Sequence, residues 1–444
     1  MNKFLKDELH LHLYGCLTPR DLFELGKNRY QTRVTALEWF ANEYEKHAGS
    51  RPKWMDYWQR SSGLDLISRD FLATKSMSFP EFQARFNLMI ALLPTTEHAI
   101  TVLDQIIPEH VKQGVEYSEF RIFVPPLLDR DQLRTYFEML ADGCAKSNSD
   151  YKKSHVSRVI LSVSRNPKIF MQQYQTLKEL QTTSKHVATE ITGLDFCGVE
   201  EGNPPEQLKQ VFELIHADNS KLPSHALAIL YHVGESFDEM SIFSAMRWIH
   251  DSSQMGAHRL GHATAAGINI GNAGRFQDGQ TFCEPIKEAQ MLLNFLKKTV
   301  RENNDNRDQV LFIEEVYKDA MVKTLGKDRL DFQWNSDLRS AACAIQQWTL
   351  DYLSSSGSIV ESCPTSNKII GRIEQQADLP VFQFSKKKVP FIVSSDDPGI
   401  FATTLGQEEL ICRSEDRITS AQMARIAENN QLFRAGILAG RETW

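Results

Sequence analysis

His10 and His12 lie two residues apart in the run Glu8-Leu9-His10-Leu11-His12-Leu13. Side chains on a β-strand alternate, so both imidazoles would share one face and the leucines the other. That arrangement suits one divalent metal, and it equally suits two ordinary histidines on a half-buried strand until partners are found. Partners follow at the ends of later strand-like segments. Ala226-Leu227-Ala228-Ile229-Leu230-Tyr231 ends in His232-Val233-Gly234-Glu235, Arg259-Leu260-Gly261 leads into His262, and the apolar run from Val389 leads into Asp396-Asp397-Pro398. A catalytic zinc takes nitrogen and oxygen ligands and keeps a position open for water, a set that three histidines and one carboxylate provide. One more histidine and two carboxylates then remain for acid–base work.

The elements that must position these groups can be read from the apolar pattern. Strand-like segments occur at 8–13, 116–124, 158–163, 191–197, 226–232, 258–261, 358–362 and 390–395, most of them separated by helical stretches. Eight strands with crossover helices predict an α/β fold, a TIM-type (β/α)8 barrel whose site lies at the C-terminal ends of the strands. Every candidate ligand sits at such an end. Length alone suggests about three domains, but barrels often exceed roughly 250 residues as one unit, so the expectation is one barrel over 1–444. Two connections exceed a plain crossover and are read as helical insertions at the C-terminal face, 20–100 and 265–340. Helical patterns fall at 34–47, 79–93, 286–301, 310–324 and 339–353. Such insertions serve as lids, specificity elements or assembly surfaces, including contacts between copies of the chain, or simply as packed layers.

Charged residues make up 24% of the 444 and hydrophobic ones 41%, the balance of an ordinary globular protein with a sizeable core. A net charge of −7 argues against nucleic acid and anionic membrane as partners, while leaving room for a local phosphate site. The seven cysteines are scattered and never spaced Cys-x-x-Cys, which predicts a reduced, cytoplasmic protein without a thiolate zinc site. No run is long enough for a membrane span, and a metal motif starting at His10 leaves no room for a signal peptide.

The chain resembles the adenosine deaminase family of metal-dependent hydrolases. The resemblance rests on Glu8 through Leu13, Tyr117-Ser118-Glu119-Phe120-Arg121, Gly193-Leu194-Asp195-Phe196-Cys197-Gly198, His232-Val233-Gly234-Glu235, Arg259-Leu260-Gly261-His262, Cys363-Pro364-Thr365-Ser366-Asn367 and Ser394-Ser395-Asp396-Asp397-Pro398, which follow in family order. It implies that His10, His12, His232 and Asp396 hold one Zn2+ and that metal-activated water attacks a ring carbon. His262 would orient that water and help deprotonate it. Glu235 would protonate N1 of a 6-aminopurine, Asp397 would hydrogen-bond N7, and the Gly198 N–H would reach N3. Ammonia leaves and a 6-oxopurine remains.

Tyr14 stands where nucleoside deaminases of the family carry an aspartate expected to accept a hydrogen bond from the ribose 5′-hydroxyl. Its neutrality admits adenine nucleotides beside nucleosides as substrates, with Arg20, Lys368 and Arg372 read either as phosphate partners or as surface charge. Cys16 is read as packing and His258 as structural. Two rivals stand beside this reading: a hydrolase of free adenine or another cyclic amidine on the same barrel, and a barrel kept for binding or assembly.

Overall fold

In a computed structural model the described residues are 5–93, 96–302, 307–324, 327–414 and 417–442. Ten strands run along the described chain: β1 (Asp7–His12), β2 (Tyr117–Phe123), β3 (Val156–Ser162), β4 (Ile191–Phe196), β5 (Ala228–Val233), β6 (Arg259–His262), β7 (Thr281–Pro285), β8 (Arg329–Gln333), β9 (Ile359–Ser362) and β10 (Phe391–Val393). All but β7 and β8 form one parallel sheet in chain order, and each lies within two residues of an expected strand. The sheet curls on itself: beyond β10 the His12 N–H donates to Asp396 O and the Asp396 N–H to His10 O, both at 3.0 Å. The result is the (β/α)8 barrel that the strand spacing predicts. Parallel strands covered by helices are buried on both faces, as β5 is along its whole length.

Barrel interiors of this type are ordinarily filled by branched apolar layers. Here alternate positions on β2, β6 and β9 place Glu119, Arg121, Arg259 and Glu361 inside, all essentially fully buried. Arg121 Nη2 lies 2.6 Å from both oxygens of Glu361, while Arg259 reaches Glu361 through Nε at 2.8 Å and Glu119 through Nη2 at 2.6 Å. Each buried charge thus meets an opposite one, the condition on which a buried ion is tolerable.

The C-terminal segment seals the N-terminal end of this layer. Arg259 donates to Phe433 O, the Ala435 N–H donates to Glu119 Oε1 at 2.6 Å, and Arg441 donates to the carbonyls of Ala188, Ile191 and Ala226 below β4 and β5.

Between β1 and β2 the chain forms helices Pro19–Lys27, Val34–Ala48, Asp56–Gln59, Gly63–Phe71 and Phe79–Leu92, then Thr96–Gln113. The last helix carries Pro108 in its interior, a residue that argues against helix from sequence. Helix Phe79–Leu92 is started by Ser78, whose hydroxyl accepts the Glu81 N–H. It is fastened by Arg85, which pairs with Glu81 and donates to the carbonyls of Arg69, Asp70 and Leu72. Between β6 and β9, β7 and β8 pair antiparallel around helices Ile286–Glu302 and Arg307–Lys323. Among the described residues no helix is long and apolar enough to cross a membrane. The seven cysteines form no disulfide.

Candidate active site

The strand ends bring His10, His12, His232 and Asp396 together. His10 Nε2 lies 3.2 Å and His12 Nε2 3.6 Å from Asp396 Oδ1, and His12 Nε2 lies 3.3 Å from His232 Nε2. Donors arranged tetrahedrally about 2.0–2.1 Å from a zinc stand about 3.3 Å apart, close to these three separations, and metal-binding groupings of the described residues also join His10 and His232 with His262, and His10 and Asp396 with Cys363. The protonation of the four fits as well. Burial, reinforced by the neighbouring imidazoles, pushes His12 down to about 3, and burial likewise outweighs Asp195 in lowering His232, so both present lone pairs. Burial alone would raise Asp396, but the His10 hydrogen bond and the surrounding imidazoles hold it well below the usual carboxylate range. His10 differs: burial and Arg121 oppose a charge there, yet Glu361 and Asp396 hold its pKa above the ordinary value. At His10 Nε2 a proton and a metal ion compete.

The remaining nitrogens of two of these rings meet carboxylates, His10 Nδ1 with Glu361 Oε2 at 2.7 Å and His232 Nδ1 with Asp195 Oδ1 at 2.9 Å. Metal-ligating histidines use such partners to fix their orientation and tautomer. Arg121 Nη1 stands against the same cluster, 3.1 Å from His10 Nε2, its charge offset by Glu361 and by Asp195 at 3.5 Å. The sequence reading gave Asp195, Glu361 and Arg121 no role. Their signal was charged residues at strand positions that also had to be interior.

His262 and Asp396 both adopt left-handed backbone, each with φ 64. For residues with a side chain this costs about 1–3 kcal/mol each and is sustained where function gains from the geometry. His262 Nε2 faces Glu235 Oε1 at 3.5 Å and Asp396 Oδ2 at 4.0 Å. The Glu235 loop is held by Glu200, a residue the sequence reading passed over, whose carboxylate accepts the backbone N–H groups of Gly234 and Glu235 at 2.7 and 3.0 Å. Burial, then the charges of Asp396 and Glu200, raises the Glu235 carboxyl well above its ordinary value. Burial and Asp396 do the same to Asp397, whose Oδ1 has no hydrogen-bond partner in the protein. Space for that oxygen exists because residue 15 is glycine: a Cβ there would stand 1.6 Å from it.

His12, His232, Glu235, His262, Asp396 and Asp397 border a cavity of about 390 Å³, with His10 behind them. Gly198, with φ +84, lies on its edge in a conformation that favours glycine. Phe79, Phe82, Phe86, Ile90, Phe123 and Val124 supply apolar wall. Arg165 is the one basic residue besides histidine among the lining residues. Its donors go to Phe196 O, Cys197 O, His232 O and the Tyr231 hydroxyl. Of the residues expected to read substrate, Gly198 and Asp397 line the cavity and Tyr14 does not. Tyr14 sits on the turn after β1 and packs against the hydrophobic core, where burial raises its phenol. Arg20, Lys368 and Arg372 are likewise absent from the lining, and Arg372 is bound to Asp238.

Residues 62–284 and 315–433 match the family model described as adenosine deaminase. An adenosine deaminase from Clostridium kluyveri is 23% identical over 281 residues, 60% of this chain and 65% of that protein. The chain thus spans about 65% of the length of the curated relatives it matches. Among solved structures, adenine deaminase from Arthrobacter aurescens superposes with a TM-score of 0.57 at 14% identity, covering 98% of this chain and 97% of that one. The arabidopsis N6-mAMP deaminase gives 0.55 at 17% identity, covering 97% and 96%. At these identities the structural matches speak for the fold.

Proposed function

Because the chain belongs to the adenosine deaminase family, we propose that it is a zinc-dependent hydrolytic deaminase converting a 6-aminopurine to the 6-oxopurine and ammonia. The observation that carries this reading is the convergence of His10, His12, His232 and Asp396 with Glu235, His262 and Asp397 at one end of a largely apolar cavity. Zinc held by the first four would lower the pKa of a bound water toward neutrality. The protein's own groups do the rest. A 6-aminopurine presents three ring nitrogens as acceptors, N1, N3 and N7. Three donors suit them: the Glu235 carboxyl for N1, the Gly198 N–H for N3 and the protonated Asp397 carboxyl for N7. Protonation at N1 draws electron density from C6, so attack there becomes feasible while the apolar wall excludes bulk water. His262 orients the attacking water, and Asp396 Oδ2 lies on the same side.

The cavity favours an uncharged substrate. A 5′-phosphate needs a cation or a cluster of free N–H donors, and the one guanidinium lining this cavity is committed to four acceptors of the protein. Gln83, Ser164, Asn166 and Asn203 on the wall are each engaged through one side-chain atom, and their remaining neutral atoms, Gln83 Oε1, the Ser164 O–H, Asn166 Nδ2 and Asn203 Oδ1, offer partners for sugar hydroxyls, which favours a nucleoside over the free base. The test is ammonia release from adenosine, deoxyadenosine, adenine and the 5′-monophosphates. Nucleosides should exceed nucleotides in kcat/KM by roughly 100-fold, the factor that about 2.7 kcal/mol of unpaired charge gives. A zinc-loaded protein that turns over no 6-aminopurine defeats the reading, and a preference for monophosphates defeats the substrate assignment. Glu235→Gln should keep metal and fold while losing about 10²–10⁴-fold in kcat, the span of a general acid's contribution.

A further inference from the structure

The motif Cys363-Pro364-Thr365-Ser366-Asn367 follows β9 and ends on a residue with no role in the mechanism above. Asn367 is buried beside His262 and Thr264. Its side-chain oxygen accepts the backbone N–H of Cys363 at 3.0 Å. A backbone N–H can only donate, so this contact decides which end of the carboxamide is oxygen. The other end, Nδ2, therefore points to Thr264 Oγ1 at 2.8 Å and to His262 Nδ1 at 3.3 Å. An amide nitrogen only donates. His262 Nδ1 is then an acceptor, and in the neutral ring the proton lies on Nε2.

The opposite edge of the ring agrees. Nε2 lies 4.0 Å from Oδ2 of Asp396, which stays ionised, and an N–H turned toward a carboxylate attracts where a lone pair would repel.

We propose that Asn367 is a positioning residue that holds His262 as the Nε2–H tautomer, making His262 a hydrogen-bond donor to the reacting oxygen instead of the base that deprotonates it. The proposal rests on the deaminase reading for its consequence, though not for the tautomer itself. The water oxygen forms its bond to C6; one of its protons passes to Asp396 Oδ2 and on to the departing amino nitrogen as the C6–N bond breaks, the other returns to Glu235 in place of the proton given to N1 and leaves the C6 carbonyl, and the His262 proton stays in place.

The tautomer can be read directly by ¹⁵N–¹H long-range correlation of ¹⁵N-histidine-labelled protein, with and without zinc, His262 being assigned as the ring missing from His262→Gln. Wild type should show a proton on Nε2 and a bare Nδ1. A spectrum with the proton on Nδ1, or on both nitrogens, overturns the proposal without any functional assay. Asn367→Asp keeps the acceptor for Cys363 N–H and replaces the donor facing His262 with an acceptor. It should move the proton to Nδ1 and lower kcat by on the order of 10²-fold, the cost of one misdirected donor at a developing charge, with KM and zinc content unchanged. If His262 instead worked as a base through Nε2, the same carboxylate would raise its basicity and kcat would hold or rise, which also overturns the proposal. A wild-type protein inactive on every 6-aminopurine fails the deaminase reading, while the spectrum still decides the tautomer.

Discussion

The two long insertions leave the barrel in the same way and do different work. Each departs from the C-terminal end of a strand. Helix Phe79–Leu92 of the first gives Phe79, Phe82, Phe86 and Ile90 to the cavity, whereas no described residue from 264 to 340 lines it. The difference lies in where the aromatic side chains are consumed. In the first, positions 79, 82, 86 and 90 follow helical spacing and form a stripe facing the cavity. In the second, Phe282 packs on both Phe332 and Trp334, and Trp334 also on Phe276 and on Phe243 of a barrel helix. The rings of the first stripe also touch one another, Phe79 on Phe82 and Phe82 on Phe86, but they keep an edge on the cavity, whereas those of the second layer face only their own layer and the barrel helix.

That contrast can be broken or sharpened by four measurements, taken from the largest effect down. Trp334→Ala removes the hub of the second layer and should cost about 3–5 kcal/mol in denaturant unfolding, with KM unchanged in the folded protein; a raised KM would mean the second layer does reach the substrate. Glu284, on β7, comes next. Burial pushes its carboxyl up to about 7, above an ordinary value of 4.5. Between those pH values the native state holds a proton that the unfolded state has released, so stability falls as pH rises through the window and levels off above it. Glu284→Gln should therefore gain on wild type by up to about 3 kcal/mol on going from pH 4 to pH 8, while the activity profile of the two stays alike. A pH-independent difference in unfolding would remove Glu284 as the cause.

In the first layer, Phe82→Ala should lower kcat/KM about 10-fold, mainly through KM, because an aromatic contact to the ligand is worth roughly 1–2 kcal/mol. An equal fall in kcat with KM unchanged would mark Phe82 as a structural support of Phe401, on which it stacks at 5.2 Å, and not as cavity wall. Smallest is Arg51→Ala, which breaks exposed ion pairs to Glu38 and Glu45 on helix Val34–Ala48. It should change stability by less than about 1 kcal/mol and kinetics not at all.

The eight barrel strands were legible because buried parallel strands are short apolar runs, and the candidate ligands because they punctuate those runs. What escaped was non-local. β7 and β8 pair across two intervening helices, and nothing in five residues of either announces its partner. Glu361, Asp195 and Arg121 read as charges within strands until closure of the barrel turns them toward the histidines. The left-handed turns at His262 and Asp396 fall on residue types that tolerate that backbone better than most but adopt it in only a small share of cases, so the residue type alone does not mark the turn. Tyr14 shows the reverse case: the family position after the His-x-His pair suggested a substrate contact, while in the structure the chain turns there and packs the half-buried ring against the core, outside the cavity lining.

Arg259 and Glu119 find their last partners at Phe433 and Ala435, and Arg441 ties down the carbonyls beneath β4 and β5. During translation, then, the interior ions stay half-clothed until residues beyond 433 have left the ribosome. The stretch from Phe433 to Arg441 acts as a keystone under the strands that precede it, and a nascent chain has no finished centre to work with before that stretch drops in.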